Sequence, residues 1–200
     1  MLTCAGRPVV DIGDHELNTV EVAAGVPQFR WSQAAEEARR AVGAAGEQAL
    51  LRILRQGGVP QVRHVAARSD AYGYDIEAAR SRTECAHVEV KATTDPTRLV
   101  IHLSRHEYDV MVRDAEWCLA AVLVGVDGSA VNVATVCRRW LHSAVPADRA
   151  ESGRWESARL EVPAYAIVPG LSTDTWRLVP DELLPIQSVW ASRSPAPQPA

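Results

Sequence analysis

The chain has 200 residues, which is enough for one medium domain with short appendages. Hydrophobic residues make up 47% and charged residues 23% of it, so the composition excludes wholesale disorder. No apolar run is long enough for a transmembrane helix, and residues 1–11 lack the regions of a secretory signal. The four cysteines are widely spaced, without a Cys-x-x-Cys pair. We therefore expect a cytoplasmic protein with no membrane partner.

The net charge of -4 counts against nucleic-acid binding, which requires positive potential. The charge is unevenly distributed, however. Residues 34–113 hold 12 Lys or Arg and 11 Asp or Glu, whereas the two flanks together hold 9 and 14. The middle of the chain can therefore carry a basic groove. The arginines expected to supply it are Arg52, Arg55, Arg63, Arg68, Arg80, Arg82, Arg98 and Arg105.

The first predicted elements are a strand at residues 17–22 and a long helix that begins after Ser32. Ser32 is a good N-cap, and apolar residues then recur at helical spacing from Ala38 to Ile53. The glycines at 57 and 58 end this helix. Strands are predicted next at residues 62–67, 86–92 and 99–103.

The second half of the chain begins with a predicted helix over residues 105–115, which opens with the capping box Ser104-x-x-Glu107. A buried strand at 118–126 and a partner at 130–136 flank a hairpin turn at Asp127-Gly128. The last predicted elements are a short helix at 138–142 and a strand at 159–168, which Pro163 interrupts.

This order of elements predicts an α/β (α+β) fold with one mixed central β-sheet flanked by helices. We expect an N-terminal extension over residues 1–33 and a core over residues 34–145. Residues 146–191 are expected to form a C-terminal extension that packs on this core. The residues from 192 to 200, rich in Pro, Ala and Ser, are expected to be a disordered tail.

Three residues in the middle of the chain carry the chemistry. Glu89 and Lys91 are two apart on one predicted strand and therefore share a face. If the preceding segment pairs with this strand as a hairpin, Asp75 approaches Glu89. Two adjacent carboxylates repel each other, and a hard divalent cation such as Mg²⁺ relieves the repulsion. With Lys91 to orient or deprotonate a water, these groups could support metal-assisted phosphodiester hydrolysis.

Two further observations concern this site. Lys91 is the only lysine among 21 cationic residues, which points to a position where guanidinium does not serve; the alternative is chance. Glu47 lies at the edge of the apolar face of the long helix, where a carboxylate could reach over the sheet. It is a candidate fourth member of the site, with an ordinary boundary glutamate as the alternative.

The sequence around these residues resembles a known family. The segments are Gly46-Glu47, Gly73-Tyr-Asp75-Ile-Glu, Val88-Glu-Val-Lys91-Ala-Thr and Leu103-Ser-Arg-His-Glu107. In order and spacing they are similar to the domain at the C-terminus of NO VEIN proteins, which also occurs in bacterial defence and restriction proteins. That domain is regarded as PD-(D/E)xK-like, although this chain lacks the proline before Asp75. The resemblance covers residues 34–125.

The resemblance implies a restriction-endonuclease-like core with Glu47, Asp75, Glu89 and Lys91 as catalytic residues. The three carboxylates would hold Mg²⁺, with Mn²⁺ as the alternative. The expected function is a nuclease of a bacterial defence or restriction system, with DNA as substrate and a homodimer or a defence complex as its assembly. The alternative is a catalytically inactive nucleic-acid-binding or scaffold module. Ser104 and Glu107 would lie nearby, but the capping box explains them without catalysis.

Overall fold

The computed structural model describes residues 33–67, 69–148, 153–185 and 189–190. The predicted strand at 17–22, the N-cap at Ser32 and the tail from residue 192 lie outside these ranges. In the described part of the chain, the helices are α1 (Gln33–Gln56), α2 (Arg105–Arg113) and α3 (Arg138–Ala144). The strands are β1 (Gln61–His64), β2 (Ile76–Ala79), β3 (Cys85–Thr93), β4 (Leu99–Ser104), β5 (Trp117–Val124), β6 (Ala130–Val136), β7 (Ser157–Val162) and β8 (Ile167–Pro169).

Six strands form a mixed sheet in the order β1-β2-β3-β5-β6-β8. Strands β3 and β5 are parallel, and the other neighbours in this sheet are antiparallel. The predicted mixed α+β class is confirmed. The other two strands, β4 and β7, form a separate antiparallel pair, where the sequence had predicted a single sheet. Pro163 ends β7 as expected, and the chain resumes at β8 after a short 3₁₀ turn.

Strand β5 is covered on one face by the pair of strands β4 and β7. All eight of its residues are buried, and its alternate side chains enter two different cores. Cys118, Ala120 and Val122 pack with α1, whereas Leu119 and Ala121 pack with β4, β7 and α2. A strand buried on both faces requires a covering layer on each side, and the β4–β7 pair supplies part of the second layer.

Helix α1 lies closely against the first face of the sheet. A Cβ atom added at Gly46 would come within 2.5 Å of Ala92 Cβ, so only glycine permits this approach. The neighbouring residue Glu47 is thereby held near the sheet edge. None of the helices formed by the described residues combines the length and apolar character that a membrane span requires.

Helix α2 begins at the predicted capping box. Ser104 Oγ accepts a hydrogen bond of 3.2 Å from the Glu107 N–H, and Glu107 Oε2 accepts one of 2.8 Å from the Ser104 N–H. The cap fixes the Glu107 side chain at the first turn of the helix, directly after β4 ends. The capping box therefore fixes the position of a carboxylate as well as the start of the helix.

Candidate active site

The predicted hairpin between the Asp75 segment and the Glu89 strand is present. Ile76 pairs with Val88 in the antiparallel β2–β3 register, and the Asp75 N–H donates to Val88 O over 3.0 Å. The Asp75 carboxylate lies just before β2 and accepts a hydrogen bond of 2.8 Å from the Val90 N–H. The chain turns into this position through Gly73, whose φ of +68° favours glycine.

Glu89 and Lys91 form an ion pair on the second face of the sheet. Lys91 Nζ lies 2.7 Å from Glu89 Oε1, and the side chains are 20% and 6% exposed. Pairs buried to this degree are held by geometry and hydrogen bonds as much as by Coulomb attraction. The side chain of Lys91 therefore has a defined position in the site.

A second carboxylate also contacts Lys91. Glu107 Oε1 lies 3.1 Å from Lys91 Nζ, while Glu107 Oε2 accepts the hydrogen bond from the Ser104 N–H. Glu107 thus uses one oxygen for the helix cap and the other for Lys91. The sequence placed Glu107 near the site, and the capping box that was offered as the alternative explanation is present as well.

Glu47 occupies a different place from the other three predicted site residues. It projects from α1, which covers the face of the sheet opposite to Glu89 and Lys91, and its Oε2 lies 2.7 Å from His64 Nε2. Glu47 is still close enough to contribute to the electrostatic field at Asp75. Sequence reasoning missed His64, because its pairing with a residue of α1 depends on how the helix packs.

Asp75, Glu89 and Glu107 line a cavity of about 300 Å³. Asp75, Glu89, Ser104 and Glu107 provide polar walls, and the remaining wall comes from the segment between β1 and β2 together with His106. The volume lies at the small end of the range for ligand sites. It can admit a phosphate group with part of its sugar.

The electrostatics of the cavity are those of crowded carboxylates. Burial raises the pKa of Asp75 to about 6; the Val90 hydrogen bond opposes this rise, and the charge of Glu47 adds to it. Burial likewise raises the pKa of Glu89 well above its usual range, against the opposing effect of Lys91. Carboxylates with raised pKa values in a cavity are typical of functional sites.

The charged form of Lys91 is favoured, in contrast to the charged forms of Asp75 and Glu89. Burial alone would lower its pKa, but the carboxylates of Glu89 and Glu107 outweigh burial and raise the pKa above the ordinary lysine value. Lys91 is therefore a cation at neutral pH. It can donate hydrogen bonds, but in this state it cannot act as a base.

Asp75 and Glu89 fit a hard divalent cation by the chemistry of their donors. They present buried carboxylate oxygens whose ionisation is disfavoured by burial and by neighbouring carboxylates, and such a cation would relieve this cost. Among residues 33–67, 69–148, 153–185 and 189–190, no three Asp, Glu, His or Cys side chains are arranged to hold a metal ion as they stand. In this arrangement Lys91 contacts Glu89, and His64 contacts Glu47.

His87 shares the face of β3 with Glu89 and Lys91. Its Nδ1 lies 2.5 Å from Asp114 Oδ2, and its ring stacks on Tyr74 with centroids 4.4 Å apart. These neighbours fix the ring at the start of β3, away from the ion pairs that Lys91 forms with Glu89 and Glu107.

Comparison with known proteins gives one match. Residues 46–136 match the family described as Protein NO VEIN, C-terminal. The matched segment begins just before Glu47 and contains Asp75, Glu89, Lys91 and Glu107. No curated protein and no solved structure matches the chain.

Proposed function

We propose, from the premise that residues 46–136 form a domain of the NO VEIN C-terminal type, that the protein is a Mg²⁺-dependent endonuclease acting on DNA. One observation carries the proposal. The β2–β3 hairpin brings Asp75 and Glu89 to one cavity. Beside it, Lys91, the only lysine of the chain, contacts the carboxylates of Glu89 and Glu107.

The carboxylates are the proposed metal ligands. Asp75 and Glu89 would hold Mg²⁺, or Mn²⁺ in its place, with Glu47 as an outer member that acts through the local field. When bound, the ion supplies Lewis acidity to a phosphoryl oxygen. The Val90 N–H orients the Asp75 carboxylate for this role before any ligand arrives.

Lys91 is proposed to orient the attacking water and to stabilise the negative charge that develops on the phosphate. Its raised pKa supports this role over that of a general base. A fixed cation that faces developing negative charge in a partly water-excluded cavity is an efficient arrangement for catalysis. Glu107 is the second carboxylate in contact with Lys91 and so helps to keep the ammonium in place.

The test is nicking of supercoiled plasmid by purified protein in millimolar MgCl₂, in MnCl₂ and in EDTA. We expect cleavage with either metal and none with EDTA. We expect Asp75→Asn and Lys91→Met to abolish cleavage, and Arg113→Met, at an exposed position on α2, to retain it. Cleavage that persists in EDTA, or that survives in both site variants, would contradict the proposal.

The second candidate is an inactive nucleic-acid-binding or scaffold module. It is favoured by the contacts that already engage two of the carboxylates, namely Lys91 with Glu89 and Glu47 with His64. In this case the protein would bind plasmid without cutting it under any metal condition. Either activity would suit a bacterial defence or restriction system, in which the chain would act as a homodimer or with partner proteins.

A further inference from the structure

A second cavity, of about 490 Å³, lies at the end of β3. It is bounded by the first half of α1, the turn after β3, the outer face of β4 and one residue of β7. Its lining residues include three arginines and one aspartate. The arginines are Arg39, Arg98 and Arg159, and His102 adds a further hydrogen-bonding group. We call this cavity the arginine groove.

The arginine groove and the candidate active site both border β4. Val100, His102 and Ser104 are alternate residues of that strand and therefore share its outer face, and Arg98 directly precedes it. Val100 and His102 line the arginine groove, whereas Ser104 lines the cavity of Asp75 and Glu89. From Arg98 to Ser104 the strand extends about 20 Å, which corresponds to roughly six phosphates of one duplex strand.

The arginines of the groove are exposed, so a bound phosphate can replace their carboxylate partners. Arg98 is 57% exposed and lies 3.4 Å from Asp95, and Arg39 is 51% exposed and contacts Glu36 at 2.8 Å. Exposed pairs of this kind contribute little to stability, so a phosphate can replace the carboxylate at little cost. Arg159 lies opposite His102 in the β4–β7 register and is exposed as well.

We propose that the arginine groove binds the phosphate backbone of a nucleic acid and leads it along β4 to Asp75 and Glu89. The inference rests on the proposed function, because it names how the substrate reaches that site. It also assigns a role to the flanks of the matched family segment. Arg39 lies before residue 46 and Arg159 lies after residue 136, so two of the three arginines come from outside that segment.

This assignment differs from the groove that the sequence predicted. Of the eight arginines expected there, Arg98 alone lines the arginine groove, and Arg68 lies outside the described residues. Arg63 contacts Glu77, and Arg105 contacts both Asp109 and Asp148. The sequence missed Arg159 because its place beside β4 depends on the pairing of strands distant in the chain.

The experiment measures binding without cleavage. The full chain carrying Asp75→Asn is titrated, in EDTA, against a fluorescein-labelled 20-mer DNA duplex and the corresponding single strand, at salt concentrations from 50 to 200 mM. Arg39→Ser and Arg159→Ser are the test variants. Arg40→Ser is the matched control, because Arg40 neighbours Arg39 on α1, contacts the same Glu36 and is 76% exposed, yet it does not line the groove.

We expect each test variant to weaken binding several-fold and to reduce the slope of log K against log salt by about 0.9, the value for one phosphate contact. The loss should be the same for unrelated DNA sequences, because phosphate contacts carry no sequence information. Arg40→Ser should change neither quantity.

Two results would overturn the proposal. In the first, Arg39→Ser and Arg159→Ser bind DNA as Arg40→Ser does. In the second, the protein binds poly-glutamate but no nucleic acid, which would assign the groove to an acidic protein partner. A different result would contradict the proposed nuclease but not the binding role of the groove. In that case the salt slopes would change as expected, but the protein with its native Asp75 would leave plasmid intact in Mg²⁺.

Discussion

The backbone N–H of Val90 donates a hydrogen bond of 2.8 Å to Asp75 Oδ2, so the strand that carries Glu89 and Lys91 also orients the Asp75 carboxylate. The bond stabilises the ionised form of Asp75, but burial outweighs it and raises the pKa to about 6. Without a cation, the folded protein therefore bears a cost for holding this charge at neutral pH.

Replacing Asp75 by Asn should stabilise the metal-free protein. A pKa of about 6 against an ordinary value of 3.8 corresponds to about 3 kcal/mol lost from the free energy of unfolding at high pH. This value already includes the opposing effect of the Val90 hydrogen bond. We expect a gain of up to about 3 kcal/mol in EDTA at pH 8, measured by urea denaturation. Added Mg²⁺ should raise the Tm of the wild type and not that of the variant; equal shifts would place the metal elsewhere.

The advantage of Asp75→Asn should depend on pH in a defined direction. The folded protein holds the Asp75 proton more tightly than the unfolded chain, so this group favours folding below about pH 4 and its contribution is lost as the pH rises through 6. The difference in unfolding free energy between variant and wild type should therefore be largest above pH 7 and smallest near pH 4. Denaturation in EDTA across this range measures it, and a difference independent of pH would show that Asp75 is not the titrating group.

The variant Lys91→Arg tests whether Lys91 acts through its charge alone or also through the shape of its side chain. An arginine keeps the positive charge and can still pair with Glu89 and Glu107, so we expect the variant to fold with a Tm near that of the wild type. Its larger, planar group would displace the water that the ammonium orients, and misplacement by about 1 Å can reduce a rate about 100-fold. Single-turnover plasmid cleavage measures the loss. Wild-type rates would mean that Lys91 acts only through its charge.

Glu107 and Ser104 allow the helix cap to be separated from the contact with Lys91. Ser104→Ala removes the hydroxyl of the cap and should lower the unfolding free energy by about 1 kcal/mol with little change in cleavage. Glu107→Gln retains an oxygen for the Ser104 N–H but loses the charge next to Lys91, and we expect cleavage to fall about tenfold, or about 1.4 kcal/mol in activation free energy. If cleavage in the two variants follows stability alone, Glu107 acts only as a cap.

Two glycines of α1 provide a matched test of how closely the helix approaches the sheet. Gly46→Ala would press a methyl group onto Ala92 and should lower the unfolding free energy by about 1–3 kcal/mol. Gly43 has no atom within 4 Å of an added Cβ, so Gly43→Ala should raise it by about 0.5–1 kcal/mol. Urea denaturation of both variants decides this, and a neutral Gly46→Ala would mean that α1 can move away from β3.

The sequence was sufficient to predict those parts of the site that depend on local pattern. Alternation placed Glu89 and Lys91 on one face, and pairing of the preceding segment with this strand was the condition under which Asp75 approaches Glu89. The Ser104-x-x-Glu107 spacing predicted the cap, because a capping box depends on neighbouring residues only.

What the sequence did not predict depends on packing between distant elements. The contact of Glu107 with Lys91 requires α2 to lie beside β3, and the pair of Glu47 with His64 requires α1 to cross β1. The separate β4–β7 pair could not be inferred from alternation, since a strand of either sheet shows the same period. Arg159 was missed for that reason.

The pairing of β4 with β7 has a consequence for the order of assembly during synthesis. The hairpin that joins Asp75 to Glu89 uses residues close in the chain, so it can form as soon as β3 has left the ribosome, whereas Leu99 must wait for Val162. Contacts between distant residues form late in folding. A nascent chain can thus bring Asp75 and Glu89 together before Arg159 completes the arginine groove, so the proposed nucleic-acid-binding surface stays incomplete until the last strands have been made.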